Sequence, residues 1–78
     1  MNLTTKELKK LVPIMDGLES DALTPFKHFS GGFATVEMYD YDERFIDIEV
    51  SYGVQNDVES RVYTEQLSVD RKTMQLVN

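Results

Sequence analysis

FATVEMYDYDERFIDIEVSY, residues 33–52, is the stretch whose reading decides the fold. Ala34, Val36 and Met38, then Ile46, Ile48 and Val50, are apolar, and between them stand Thr35, Glu37, Asp47 and Glu49. A period of two over both halves predicts an antiparallel hairpin with one dry and one wet face. Setting Met38 beside Ile46 and Val36 beside Ile48 requires an odd-residue loop at about 41–43. That register puts Glu37 opposite Asp47 and Thr35 opposite Glu49. Like charges facing each other across strands cost a few tenths to about 1 kcal/mol, a cost that solubility alone does not explain.

Working toward the N-terminus, Ser30-Gly31-Gly32 releases the chain into this hairpin, and residues 16–32 lack a sustained apolar period. They predict a packed connection with one helical turn near 25–29, where Thr24-Pro25 fits N-cap and N1. Phe26 and Phe29 are expected to cover the edge of the core. Before that, Thr4-x-x-Glu7 has capping-box spacing, flanked by Leu3 and Leu8 as a hydrophobic staple. A helix is expected over 4–16, turning Leu8, Leu11, Val12 and Met15 to the sheet and ended or kinked at Pro13, which lacks a backbone donor.

Toward the C-terminus, Gly53-Val-Gln-Asn-Asp57 supplies turn formers, and a five-residue loop there sets Val62 beside Ile48, Arg61 beside Glu49 and Tyr63 beside Asp47. The apolar phase then passes from even (Val58, Val62) to odd (Leu67, Val69), which predicts a bulge around Thr64–Gln66. Asp70-Arg71-Lys72 reads as a tight turn into a short strand, Thr73 to Val77, with Met74 and Leu76 inward. The expected architecture is α+β: an N-terminal helix packed on a four-stranded antiparallel meander over 33–77 (α-β-β-β-β), all within one domain, 1–78.

Composition narrows the function classes. The chain has 78 residues, no cysteine and a net charge of −6. A chain of this length buries about 60–65% of its unfolded surface, which leaves little material for a deep active-site cavity. Lack of cysteine removes disulfides, thiolate metal sites and a Cys nucleophile, and points to a reducing, cytoplasmic setting. No apolar run approaches the roughly 20 residues of a membrane span, and the N-terminus carries no apolar signal core. Residues 1–32 balance four cations against four anions, whereas residues 33–78 set four cations against ten anions. Such a field repels nucleic-acid phosphates and anionic lipid, so no direct nucleic acid or membrane contact is expected, and it steers basic surfaces inward.

No catalytic, cofactor or metal motif stands out. Asp40-Tyr41-Asp42-Glu43 offers oxygen ligands, but an EF-hand loop counted from Asp40 would need Gly at Phe45 and Glu at Ser51. His28 is the only histidine, and Gly31-Gly32 lacks the Lys of a phosphate loop. Lys6, Lys9 and Lys10 alternate with Glu7 as on a solvated helical face. The residues that attract a functional reading are the acids with interleaved tyrosines: Glu37, Tyr39, Asp40, Asp42, Glu43, Asp47, Glu49, Glu59, Tyr63 and Glu65. Tyrosine is favoured in strands irrespective of function, yet aromatics anchor interfaces, and carboxylates around them suit a partner rich in Arg and Lys.

The expected function is therefore non-enzymatic: a protein-binding module that docks an acidic sheet face on a basic protein surface, including that of a nucleic-acid-binding enzyme. Short, acidic, cysteine-free inhibitors and nucleic-acid mimics of phages and mobile elements resemble this chain in type, without a shared family signature. The alternative is a structural or assembly protein, such as a homodimer, pairing through a sheet edge at Phe33 or Val77.

Overall fold

The computed structural model describes residues 2–77. Helix α1 spans Thr5–Leu23, followed directly by a 3-10 turn at Thr24–Phe26. The strands are β1 (Gly32–Tyr41), β2 (Phe45–Gln55), β3 (Ser60–Asp70) and β4 (Gln75–Val77), antiparallel in the order β1-β2-β3-β4. The α-β-β-β-β meander expected from the periodicities is the architecture observed.

The helix begins as its capping box dictates. Thr4 Oγ1 accepts from the Glu7 amide at 3.1 Å, and the Thr4 amide donates to Glu7 Oε1 at 2.9 Å. It ends neither at Pro13 nor at residue 16, the two ends expected from the sequence, but continues to Leu23, 19 residues in all. Pro13 is exposed, so the carbonyl left without a helical donor lies on the side of the helix turned to water. On the other side Leu11, Ile14, Met15, Leu18 and Ala22 pack on the sheet as one stripe, and this burial outweighs the lost bond. Leu11 and Met15 face the sheet as expected, whereas Leu8 and Val12 are 43% and 55% exposed. The helical turn expected over 25–29 is shorter and earlier. Thr24 Oγ1 closes α1 by donating to the Ser20 carbonyl at 2.8 Å, and the Phe29 and Gly32 amides then bond back to Phe26 and Phe29.

In the first hairpin the dry and wet positions are as expected, but the register is displaced. Val36 pairs with Val50, Met38 with Ile48 and Glu37 with Glu49; past a bulge between Met38 and Asp40, Asp40 pairs with Asp47 and Tyr41 with Ile46. The loop is Asp42-Glu43-Arg44, tied by the Asp42 carboxylate, which accepts from the Arg44 and Phe45 amides at 2.8 Å each. The bulge reverses the facing of the last two residues of β1 and turns Tyr41 inward onto the core. Like charges still oppose one another across the strands, in different pairs.

The second hairpin departs further. β2 runs through Gly53 to Gln55, because Val54 continues the buried phase of Ile46, Ile48 and Val50 and is fully buried itself. The loop is Asn56–Glu59, closed by Asn56 Oδ1, which accepts from the Val58 and Glu59 amides. Ile48 therefore pairs with Leu67, Glu49 with Gln66, Asp47 with Ser68 and Tyr52 with Tyr63, in place of the expected partners Val62, Arg61 and Tyr63. Pairing is continuous from Ser60 to Asp70, with no bulge at Thr64–Gln66. Val58 sits in the loop, 93% exposed, and Val62, paired with Gly53 and 49% exposed, is on the outer face, so β3 keeps one phase with Leu67 and Val69 inward. After the Asp70 turn, Met74 packs against the core and Leu76 lies opposite Val69.

The core is Leu11, Ile46, Ile48, Val50 and Val69, sandwiched between α1 and the inner face of the sheet. The helix packs on β1 and β2. No described element covers the outer face, which presents the wet positions of all four strands.

Candidate protein-binding face

The outer face is built by strand alternation. Side chains opposite those of Ile46, Ile48 and Val50 project away from the helix, so Glu37, Glu49, Asp47 and Asp40 share one surface. Two rows cross it: Glu37, Glu49 and Gln66, then Asp40, Asp47 and Ser68. Asp47 Oδ1 accepts from Ser68 Oγ at 2.9 Å, and Asp40 Oδ1 accepts from the Tyr41 amide at 2.8 Å. Tyr39, the residue at the bulge, is 49% exposed and stands in the field of this group. Desolvation, followed by the charges of Asp47, Glu49 and Asp40, holds its hydroxyl above the ordinary 10.0, so it stays a protonated donor among carboxylates.

The cation fixed on this side is Arg44, whose guanidinium lies 5.1 Å from the ring centroid of Phe45 rather than on a carboxylate. Among the described residues the ion pairs are Arg61 with Glu59 and Arg71 with Glu7, both at 2.9 Å, so none of the four outer carboxylates has a cationic partner. Glu37 and Asp40 are exposed and Asp47 and Glu49 half-exposed, so these charges act through solvent at long range in a salt-sensitive way. Among the described residues no group of three or more His, Cys, Asp or Glu is placed to hold a metal ion.

The remaining candidate residues are not on this face. Asp42 is held by the hairpin turn, where the Phe45 and Arg44 amides lower its pKa below the ordinary carboxylate value, and Glu43 is exposed at the tip of the same turn. Tyr63, expected beside Asp47, and Glu65, expected on the same acidic face, lie on the helix side of β3, because the longer β2 reverses the pairing parity. Tyr63 stacks on Tyr52 at 5.6 Å and on Phe26 at 6.3 Å, and Glu65 accepts from the Tyr52 hydroxyl at 2.6 Å. That bond to a carboxylate raises the Tyr52 pKa. Glu59 is engaged with Arg61, whose guanidinium lies 5.8 Å from the Phe29 ring centroid.

No protein-family model matches the chain, and no similar curated protein or solved structure is found.

Phe26, Phe29, Tyr52 and Tyr63 thus form an aromatic cluster beyond the end of α1, capping the sheet where the helix no longer covers it. Beside it a shallow groove of about 300 Å³ separates α1 from β3, lined by Leu18, Asp21, Ala22, Pro25, Val50, Tyr52, Glu65 and Leu67. Phe26 and Phe29 are expected at the edge of the core, whereas sequence reasoning missed Tyr52 and Tyr63 beside them. The available signal was Val54 in phase with Val50, which extends β2 past Gly53 and carries Tyr52 inward.

Proposed function

We propose that the chain is a non-enzymatic binding module whose outer sheet face docks on a basic protein surface. The observation that carries this reading is the two like-charge pairs, Glu37 with Glu49 and Asp40 with Asp47, set side by side on an uncovered face with no ion-pair partner among the described residues. A face selected only for solubility would intersperse both signs. Carboxylates two residues apart on a strand are about 6–7 Å from one another, and neighbouring strands about 4.8 Å, so the strip presents anionic charge at close spacing to lysine and arginine. Tyr39 adds an aromatic anchor with a hydroxyl donor, the combination that interface centres favour. A partner that ordinarily grips a phosphate backbone would meet a comparable density of negative charge, which makes nucleic-acid-binding enzymes the favoured class.

The test is a partner captured from host lysate at low salt, with its affinity then measured against salt concentration for the native chain and for Asp47→Asn/Glu49→Gln. Affinity should fall steeply with salt, and the double variant should bind at least about tenfold more weakly, a loss of ~1.4 kcal/mol. Duplex DNA should compete. Equal affinity for both proteins, with no dependence on salt, would sink the reading.

A further inference from the structure

The open edge of β1 has a backbone pattern that can be read residue by residue. In an antiparallel ladder, alternate residues spend their N–H and C=O on the neighbour, and those between point away. The Gln55 amide bonds to the Gly31 carbonyl, which places Phe33, Thr35 and Glu37 in the pairs that bond to β2. Ala34, Val36 and Met38 therefore direct their N–H and C=O groups to the open edge. Consistent with this, the Gly32 amide, in the same phase, turns away from β2 and donates to Phe29. At the other end the Tyr41 amide is taken by Asp40 Oδ1. Among the described residues, the edge is free between these two closures, and β1 has no strand beside it other than β2.

The side chains beside this free run are of two kinds. On the outer side stand Glu37, Tyr39 and Asp40. On the inner side are half-buried Val36 and Met38, next to α1. At about 100° per residue, Val12 projects from the side of α1 opposite Asp21, and Asp21 lines the groove on the β3 side. Val12 and Leu8, 55% and 43% exposed, thus lie on the flank turned to the β1 edge. A strand added here would meet carboxylates with one set of alternate side chains and apolar surface with the other.

Resting on the binding reading above, we infer that the β1 edge takes up an extended segment of the basic partner as an additional strand, its cationic residues over Glu37 and Asp40 and its apolar residues beside Val36 and Met38. Main-chain bonds to Ala34, Val36 and Met38 supply affinity, and the alternation supplies specificity. A second copy of this chain fits less well. Pairing β1 with itself lays one acidic strip beside another, between two molecules each of charge −6.

The experiment uses a nine-residue peptide alternating Lys and Val, and a peptide of the same composition with its lysines and valines in separate blocks. Affinity is read by fluorescence anisotropy, and backbone amide exchange is read by NMR. The alternating peptide should bind at least about tenfold more tightly than the block peptide and should slow exchange at Ala34, Val36 and Met38. Ala34→Pro removes one outward donor and sets its ring in the path of the added strand, at an edge position where proline leaves the β2 ladder intact. It should abolish the preference between the peptides. If both peptides bind alike without protecting these amides, the edge inference fails and the acidic-face reading stands. If Ala34→Pro abolishes binding while Asp47→Asn/Glu49→Gln leaves it unchanged, the electrostatic reading fails instead. No binding of either peptide at millimolar concentration overturns the edge inference in the native protein, whatever the folding of the variant. Protection of the same three amides on concentrating the protein alone assigns the edge to a second copy and overturns it also.

Discussion

Replacing Asp47 with Asn and Glu49 with Gln should make the protein more stable while it weakens binding. Both like-charge pairs, Glu37 with Glu49 and Asp40 with Asp47, lose one charge each. The Gln55 to Gly31 bond and the Asp42 to Phe45 bond set the ladder phase on the two sides of the bulge, and both acidic pairs fall in the hydrogen-bonded class. Their Cα atoms are then about 5.5 Å apart rather than 4.5 Å, which puts each repulsion in the lower part of the range for opposed like charges. Relief of about 0.3–0.7 kcal/mol per pair sums to roughly 0.5–1.5 kcal/mol. In a domain of this size that raises the thermal midpoint by about 3–10 °C. The carboxamide introduced by Asp47→Asn keeps an oxygen to accept from Ser68 Oγ, so the side-chain bond from Asp47 to β3 is retained. Thermal unfolding followed by circular dichroism at low and high salt checks the cause as well as the size. Screening shortens from about 10 Å at 0.1 M to about 3 Å at 1 M, so high salt should stabilise the native chain and close most of the gap. A double variant that melts at or below the native midpoint at low salt, or a gap indifferent to salt, would refute the reasoning.

Two further perturbations probe the frame that holds this face. Arg71 bonds Glu7 through both Nε and Nη2 at 2.9 Å and also donates to the Asp42 carbonyl; its guanidinium, followed by the Thr4 amide, lowers the Glu7 pKa from 4.5 to about 2. The carboxylate is favoured in the folded state, so its contribution is present above the unfolded value and lost as pH falls from 4.5 toward about 2. Arg71→Met should lower the urea midpoint at neutral pH and flatten its decline across that acid window; an unchanged acid limb would place the linkage on another group. Pro13→Ala restores the missing helical bond at an exposed position, and since an interior proline costs about 3 kcal/mol, the variant should gain about 1–3 kcal/mol in chemical denaturation. A loss of stability would show that α1 relies on the proline geometry.

Periodicity made the fold legible, and turn chemistry decided where it was not. Ile46, Ile48 and Val50 identify the buried face of β2, and Thr4 with Glu7 identifies the start of α1, because each signal is local and repeated. The end of β2 was not legible in the same way. Gly53 and Asn56 both read as turn formers, and the one that makes the turn is Asn56, whose carboxamide accepts from the Val58 and Glu59 amides. Gly53 instead stays within the strand at φ 145°, where a Cβ would meet the Arg61 carbonyl. Misplacing that turn inverts the first half of β3 and calls for a bulge to bring Leu67 and Val69 back inward, which is why periodicity alone puts Tyr63 and Glu65 on the wrong face. The acids of the first hairpin are less sensitive. A displacement by an even number of residues changes the partners of Glu37 and Glu49 and leaves their face and that of Asp47 unaltered, while Asp40 joins them through the bulge.

That insensitivity bears on how function is read from this molecule. The core lies wholly on the helix side, and the groups that close the turns are Asp42, Asn56 and Asp70 rather than Glu37, Asp47 or Glu49. Folding and the proposed docking therefore draw on separate sets of residues, apart from the Asp47 to Ser68 bond and the bond Asp40 accepts from the Tyr41 amide. Charge substitutions on the outer face should leave a native fold, so a loss of binding there reports on the surface itself. Ala34 has the same property for the β1 edge, because its amide serves no bond to β2. The face and the edge can thus be removed independently in one chain, and only a partner that uses both will register both losses.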